Sequence, residues 1–389
     1  MKQHWTLDPT ITYLNHGSFG ATPRVVLEKQ NEYRAQLERE PVRFFVRELE
    51  PLLDAARTEL ATFIGADPAG LAFIPNATTG VNSVLRSLDL DMHDELLVTT
   101  QEYNASRNVL DYVATTVGAK VVVADVPFPI ASPDVVIERV LEKVTSKTRL
   151  LLIDHVTSQT GIILPIEKIV AELRERGIET LVDGAHAPGL LPLDVNTIGA
   201  AYYTGNLHKW VCAPKGAAFL WVRENRRASV RPAIISHGAN SSRRDRSRYL
   251  IEFDWTGTCD PSPWLCVPDS LRFMQTLVDG GWPEIMRRNR ALALQARDVL
   301  CRALEIDAPA PDEMLGAMAA VPLPDATAEP SFFGDALQDT LLYEHNIEVP
   351  FMPWPYSPKR LLRISAQLYN SIDEYERLAA ALLLHLREA

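Results

Sequence analysis

The stretch Glu179–Gly189, ETLVDGAHAPG, sets the reading of everything around it. Its apolar run is too short for a helix and stops abruptly at an Asp-Gly pair. A histidine among small residues then leads into Pro188 and Gly189, which are turn residues. This is the pattern of a buried strand running into a loop. Six further runs share that texture: LAFIP from Leu71, ELLVT from Glu95, KVVVAD from Lys120, RLLLIDHV from Arg149, AAYYTG from Ala200 and AFLWVR from Ala218. The segments Gly80–Leu88, Ser106–Val117, Pro133–Val144 and Ile166–Arg176 carry helical patterning between them. Strands alternating with helices predict an α/β fold around a mostly parallel seven-stranded sheet covered on both faces.

The flanks differ. Tyr13–Pro23, YLNHGSFGATP, reads as a short extended piece and a glycine turn before Pro23 starts a helix. Residues 25–64 are charged and periodic, with expected breaks near Pro41 and Pro51. After about Pro283 come a helix at Trp282–Ala303, Pro-rich punctuation from Pro309 to Pro330 and a helix at Gly334–His345. Strands at Ile347–Pro350 and Arg360–Ser365 and a closing helix at Ile372–Arg387 follow. The expected organisation is an N-terminal arm (1–24), a large α/β domain (25–281) and a small C-terminal α+β domain (282–389).

The 389 residues are 47% hydrophobic and 23% charged, as in ordinary globular proteins, and the formal net charge is −11. That charge argues against a nucleic-acid partner, which needs clustered Lys and Arg. The one basic stretch, Arg243–Arg248, reads as a solvated loop. No apolar window is long enough to span a membrane and no secretory leader is recognisable, so a cytoplasmic location is expected. Cys212, Cys259, Cys266 and Cys301 form no CxxC pair and no metal-ligand spacing, so free thiols and no metal are expected.

Polar clusters recur where the strands should end. Asp183 could pair with a cationic ring nitrogen or cap a helix. PNATTGVNSVL from Pro75 opens a helix whose backbone N–H groups and threonines could cradle a phosphate or simply cap it. Tyr103 follows ELLVTT and could stack on a planar ring. His155–Gly161, HVTSQTG, crowds another end with hydroxyl and amide groups. Lys209 in TGNLHKW, Thr204–Trp210, would be nucleophilic only if its pKa were lowered. Taken singly, each has a plain structural explanation. Together they form one crevice offering a phosphate cradle, a stacking ring, a carboxylate and an amine, the partners that pyridoxal 5′-phosphate requires.

These motifs, with WTGTCDPSP from Trp255 and LLRISAQLYNS from Leu361, resemble the class V aminotransferase superfamily of fold-type I pyridoxal-phosphate enzymes, in its isopenicillin N epimerase-like branch. The resemblance spans nearly the whole chain. It implies that Lys209 forms the Schiff base and shuttles protons, that Asp183 pairs with the pyridine nitrogen and that His186 contacts the phenolic oxygen. Tyr103, where many members carry His, would stack on the ring. Ala77, Thr78, Asn206 and His208 would hold the phosphate, with Thr79, Ser158 and Gln159 also against the cofactor. Thr258 would reach the phosphate from a partner subunit, making a homodimer with shared sites. Arg363 would bind the substrate carboxylate, and Asn15 and His16 would line the entrance.

The expected reaction is at Cα or Cβ of an amino acid, with epimerisation first. The alternative is C–S β-elimination from a cysteine conjugate or sulfoxide, such as hercynylcysteine sulfoxide. An aminotransferase, a cysteine desulfurase and a non-catalytic pyridoxal-phosphate binder stand behind these.

Overall fold

The computed structural model describes residues 1–326 and 334–386. Twelve strands follow in chain order: β1 (Thr12–Tyr13), β2 (Leu71–Ile74), β3 (Glu95–Thr99), β4 (Lys120–Ala124), β5 (Thr148–Asp154), β6 (Glu179–Asp183), β7 (Tyr202–Asn206), β8 (Ala218–Val222), β9 (Met318–Leu323), β10 (Ile347–Glu348), β11 (Phe351–Pro353) and β12 (Arg360–Ser365). All seven apolar runs become strands of one sheet, ordered β2-β8-β7-β6-β5-β3-β4. Only β8 runs against its neighbours. This is the expected α/β architecture.

Alternation along the strands explains why both faces are covered. Leu97, Leu151, Ile153, Val182 and Tyr203 join the core on one side. Leu96, Val98, Leu150, Leu152, Leu181 and Tyr202 join the core on the other. The helices Ala77–Leu85 and Asn104–Val117 press Val81, Val84, Leu110 and Val113 onto the second side. The helix Ile166–Glu175 presses Ile169, Val170 and Leu173 onto the first. Gly80 lets its helix lie close to β7, because a Cβ there would sit 2.3 Å from Oγ1 of Thr204.

Chain order reverses between β3 and β5. The chain moves from β3 outward to β4, then returns to the other flank of β3 to lay down β5, β6 and β7. Such a reversal opens a crevice beyond the carboxyl ends of the strands.

Three local expectations are corrected. The opening helices do not break at Pro51, which lies in the first turn of the helix Leu49–Phe63. Its missing N–H costs no helical bond there. A wide turn over Phe44–Glu48 joins that helix to the turn Pro41–Arg43. The Pro309–Pro330 segment is not only punctuation, because it holds β9. In its sheet, ordered β11-β12-β9, that strand is an edge, so Pro322 leaves no donor missing from the ladder. Pro330 itself lies outside the described residues, as does Arg387. The expected strand Ile347–Pro350 is also divided. β10 pairs in parallel with β1 in the N-terminal arm, and β11 pairs with β12.

Three arginines of the basic stretch are paired with carboxylates. Arg246 bridges Asp54 at 2.7 Å and Asp254 at 2.9 Å, Arg243 bridges Glu50 at 2.7 Å, and Arg248 bridges Glu252 at 2.7 Å. Among the described residues, no helix is long and apolar enough to cross a membrane.

Candidate active site

A cavity of about 360 Å³ opens at the strand ends, within the usual range for small-ligand sites. Each wall comes from a different strand exit. Ala77 and Thr78 follow β2, Tyr103 follows β3, Asp154 and Ser158 follow β5, Asp183 and His186 follow β6, and Asn206, His208 and Lys209 follow β7. Ser18 and Phe19 of the arm close the remaining side.

Lys209 sits in a loop that folds back on itself. Leu207 and His208 donate their N–H groups to the Ala217 carbonyl, and Ala213 donates to Leu207 at 3.0 Å. Nζ reaches Nε2 of His186 at 2.9 Å. Enclosure, helped by the nearby Arg363 charge, pulls the Lys209 pKa down to about 7. His186 is buried and kept neutral, first by desolvation and then by the Lys209 charge. Its Nδ1 accepts from the Trp210 indole at 3.4 Å.

Asp183 ends β6, fully buried. It accepts from the Ser106 hydroxyl at 2.9 Å and from the Ala185 N–H at 3.0 Å. Burial raises its pKa, while these two bonds oppose the rise. Ser106 lies inside a helix, where no local pattern singled it out.

The phosphate-cradle candidates divide. Ala77 donates its N–H to Oδ1 of Asn206 at 2.9 Å. Thr79 uses both its N–H and its hydroxyl on Asn76, the N-cap, and it does not line the cavity. His208, held neutral mainly by burial with a pKa near 4, bonds the Ala217 carbonyl at 3.2 Å. Gln159 is outside the lining, and its Oε1 is buried without a partner. Thr258 is exposed and away from this chain's cavity.

Arg363 is buried, and its pKa is pulled down to about 10 by burial. Its guanidinium donates to the Ser158 carbonyl and, at 2.9 Å, to the Ser18 hydroxyl. Its Nε has no partner, and no carboxylate pairs with it among the described residues. A buried cation held only by neutral acceptors has charge to spare for an anionic partner.

Asn15 and His16 are buried and are not among the residues lining the cavity. Asn15 donates to Glu348 at 3.0 Å. His16 is fully buried, with Nε2 at 3.0 Å from the Lys209 carbonyl and Nδ1 at 2.7 Å from the Tyr369 hydroxyl. A carbonyl only accepts, so Nε2 carries the hydrogen and Tyr369 donates to Nδ1. His16 therefore braces the Lys209 loop. Gly20 shares that task. Its φ is +71°, and an added Cβ would lie 2.1 Å from the His208 carbonyl oxygen.

The donor set fits pyridoxal 5′-phosphate. A lysine amine, a buried carboxylate, an aromatic ring and a helix N-terminus surround one cavity.

Comparisons with known proteins agree. Residues 12–378 match the family described as aminotransferase class-V. An isopenicillin N epimerase from Amycolatopsis lactamdurans is 38% identical, covering 98% of this chain and 96% of its own. A probable chloroplastic L-cysteine desulfhydrase from Arabidopsis thaliana is 31% identical, covering 96% and 83%. The apo structure of a cysteine desulfurase from Thermococcus onnurineus NA1 superposes with a TM-score of 0.82 at 18% identity, covering 100% and 98%.

Proposed function

The chain belongs to the class-V aminotransferase family, and from that premise we propose that Lys209 moves the α-proton of an amino acid whose carboxylate is held by Arg363. The protein is a pyridoxal 5′-phosphate enzyme acting at Cα or Cβ of an amino-acid substrate. The observation that carries the residue assignment is the buried Arg363 guanidinium, which has no carboxylate partner and bonds Ser18 and Ser158 of the cavity wall, across from a lysine amine poised near neutrality.

When bound, the cofactor supplies an electron sink for the charge left at Cα. The residues that would hold it are Lys209 at the aldehyde, Asp183 at the ring nitrogen and His186 at the phenolic oxygen. Tyr103 would stack on the ring, and Ala77, Thr78, Asn206 and His208 would meet the phosphate. Thr79 and Gln159 contribute indirectly, Thr79 by closing the helix cap. Arg363 fixes the substrate and excludes water from its carboxylate. Lys209 then accepts and returns a proton at Nζ.

Epimerisation is the first reading, supported by similarity along the whole chain to an epimerase. C–S β-elimination is the second, supported by similarity to a desulfhydrase and by Lys209 alone sufficing as base. We also read residues 25–281 as the cofactor unit and 282–389 as the unit supplying Arg363. A cytoplasmic homodimer completed by Thr258 of a second copy is part of this proposal.

The test is to load the protein with pyridoxal phosphate and offer amino acids and cysteine S-conjugates. Solvent deuterium at Cα without product loss supports epimerisation, and pyruvate release supports elimination. A wild type that stays colourless with added cofactor, or a Lys209→Ala variant that keeps the wild-type visible band, refutes the assignment.

A further inference from the structure

Three carboxyl groups meet at the base of the cavity, Asp154 and Asp183 in its lining and Glu102 behind them. Glu102 after β3, Asp154 at the end of β5 and Asp183 at the end of β6 bring oxygens within 4.8 Å of one another, and all three residues are buried. Asp183 has donors in Ser106 and Ala185. The other two are less well served: the Tyr103 backbone N–H pulls both their pKa values down only weakly against burial, and both Oε atoms of Glu102 and Oδ2 of Asp154 are sealed from solvent with no partner at hydrogen-bond distance.

Charges facing the cluster cannot neutralise it. Lys209 acts on Asp154 and Asp183, Arg107 acts on Glu102 and Tyr203 faces Asp183. Neither Lys209 nor Arg107 forms an ion pair with any of the three. Arg107 pairs with Asp111 at 3.0 Å. Three like charges this close in a buried site do not coexist, so the cluster retains protons. Burial, then the neighbouring carboxylates, pushes both Glu102 and Asp154 well above the usual carboxylate range.

We propose that Glu102 and Asp154 share one proton in an O–H···O hydrogen bond, and that this pair is a positioning device for Asp183. The inference rests on the cofactor reading above. One bond between an Oε of Glu102 and Oδ2 of Asp154 gives a partner to both groups. The proton stays with the pair, whose single negative charge lies behind Asp183. That charge strengthens the hold of Asp183 on the proton of the cofactor's ring nitrogen. Neither residue of the pair needs to touch the ring.

Infrared difference spectra of the cofactor-free protein test the pair directly. Wild type minus Glu102→Gln should show a carboxylic-acid C=O stretch at neutral pH. Titrating the wild-type band needs no variant and covers the case in which one misfolds. In the loaded enzyme, nitrogen-15 in the cofactor ring should report protonation. The double variant Glu102→Gln/Asp154→Asn, which removes the pair's charge, should lower the pH at which that nitrogen deprotonates by about one unit and weaken cofactor affinity about ten-fold. Glu102→Gln, which still offers Asp154 a donor, should keep the wild-type ring titration. Absence of the carboxylic-acid band, or an unmoved ring titration in the double variant, overturns the proposal. So does a stoichiometric metal ion lost in Glu102→Gln, since a cation would then replace the proton. Failure of the cofactor reading would appear separately, as missing Lys209-dependent absorbance with the infrared band intact.

Discussion

Nζ of Lys209 and Nε2 of His186 are 2.9 Å apart, and Trp210 determines which of them donates. The indole N–H can only donate, so Nδ1 of His186 must be bare. A neutral imidazole then carries its hydrogen on Nε2 and gives it to Lys209. The lysine amine is thus the acceptor, which requires it to be uncharged.

This arrangement sets a pH dependence. Below about 7 the amine is protonated and unreactive, and above it the lone pair is free. The rate at which cofactor-free protein captures pyridoxal phosphate should rise through pH 7 and flatten, where an ordinary lysine would keep gaining toward its usual pKa. Trp210→Phe lets His186 accept from a charged Lys209, so the inflection should move upward. Stopped-flow absorbance against pH reads both.

Arg363→Met separates binding from stability. The substitution removes a buried charge that lacks an acidic partner, so thermal stability of the cofactor-free protein should hold or rise. Loss of the carboxylate contact should lower kcat/KM by about 3 kcal/mol, on the order of a hundred-fold. A comparable loss of melting temperature would assign Arg363 to the core instead.

Gly20→Ala should disturb the lysine from outside the cavity. A Cβ there meets the His208 carbonyl at 2.1 Å and the Lys209 Cα at 2.9 Å. Strain of roughly 1–3 kcal/mol is expected, because alanine also resists the positive φ. Melting temperature should fall and cofactor capture should slow. An unchanged capture rate would show that the loop adjusts.

Glu102→Gln should change how stability varies with pH. The folded pKa of Glu102 is raised above its unfolded value near 4.5. Its contribution is fully present below that value and fades as pH climbs toward the folded pKa. The variant, which cannot ionise, should therefore gain on the wild type in melting temperature from pH 5 to 8. Parallel curves would mean that Glu102 is charged in the folded protein.

What could be read from the sequence was local. The seven strands announce themselves because each is short, apolar and closed by turn residues. Lys209, Asp183 and Tyr103 stand out because strand ends are marked positions. β9 was hidden because Ala319, Ala320 and Pro322 do not suggest a strand, and only its edge position makes them acceptable. Ser106, Trp210 and Gly20 act across long sequence separations, so their own neighbourhoods say nothing of Asp183, His186 or the lysine loop. Glu102 lay inside a quoted motif, but its lack of partners exists only in three dimensions. His16 was placed at the entrance by resemblance, whereas its ring turns inward toward Tyr369.

The parallel pairing of Thr12 with Ile347 orders the birth of the site. A ribosome that has released residues 71–222 has supplied every sheet strand around the cofactor crevice. It has not yet supplied β10, which anchors the arm, or Arg363 on β12. Newly made chains can therefore hold the elements for the cofactor before they can hold an amino acid, and β1, made before any strand of the large sheet, waits for β10 to find its pairing.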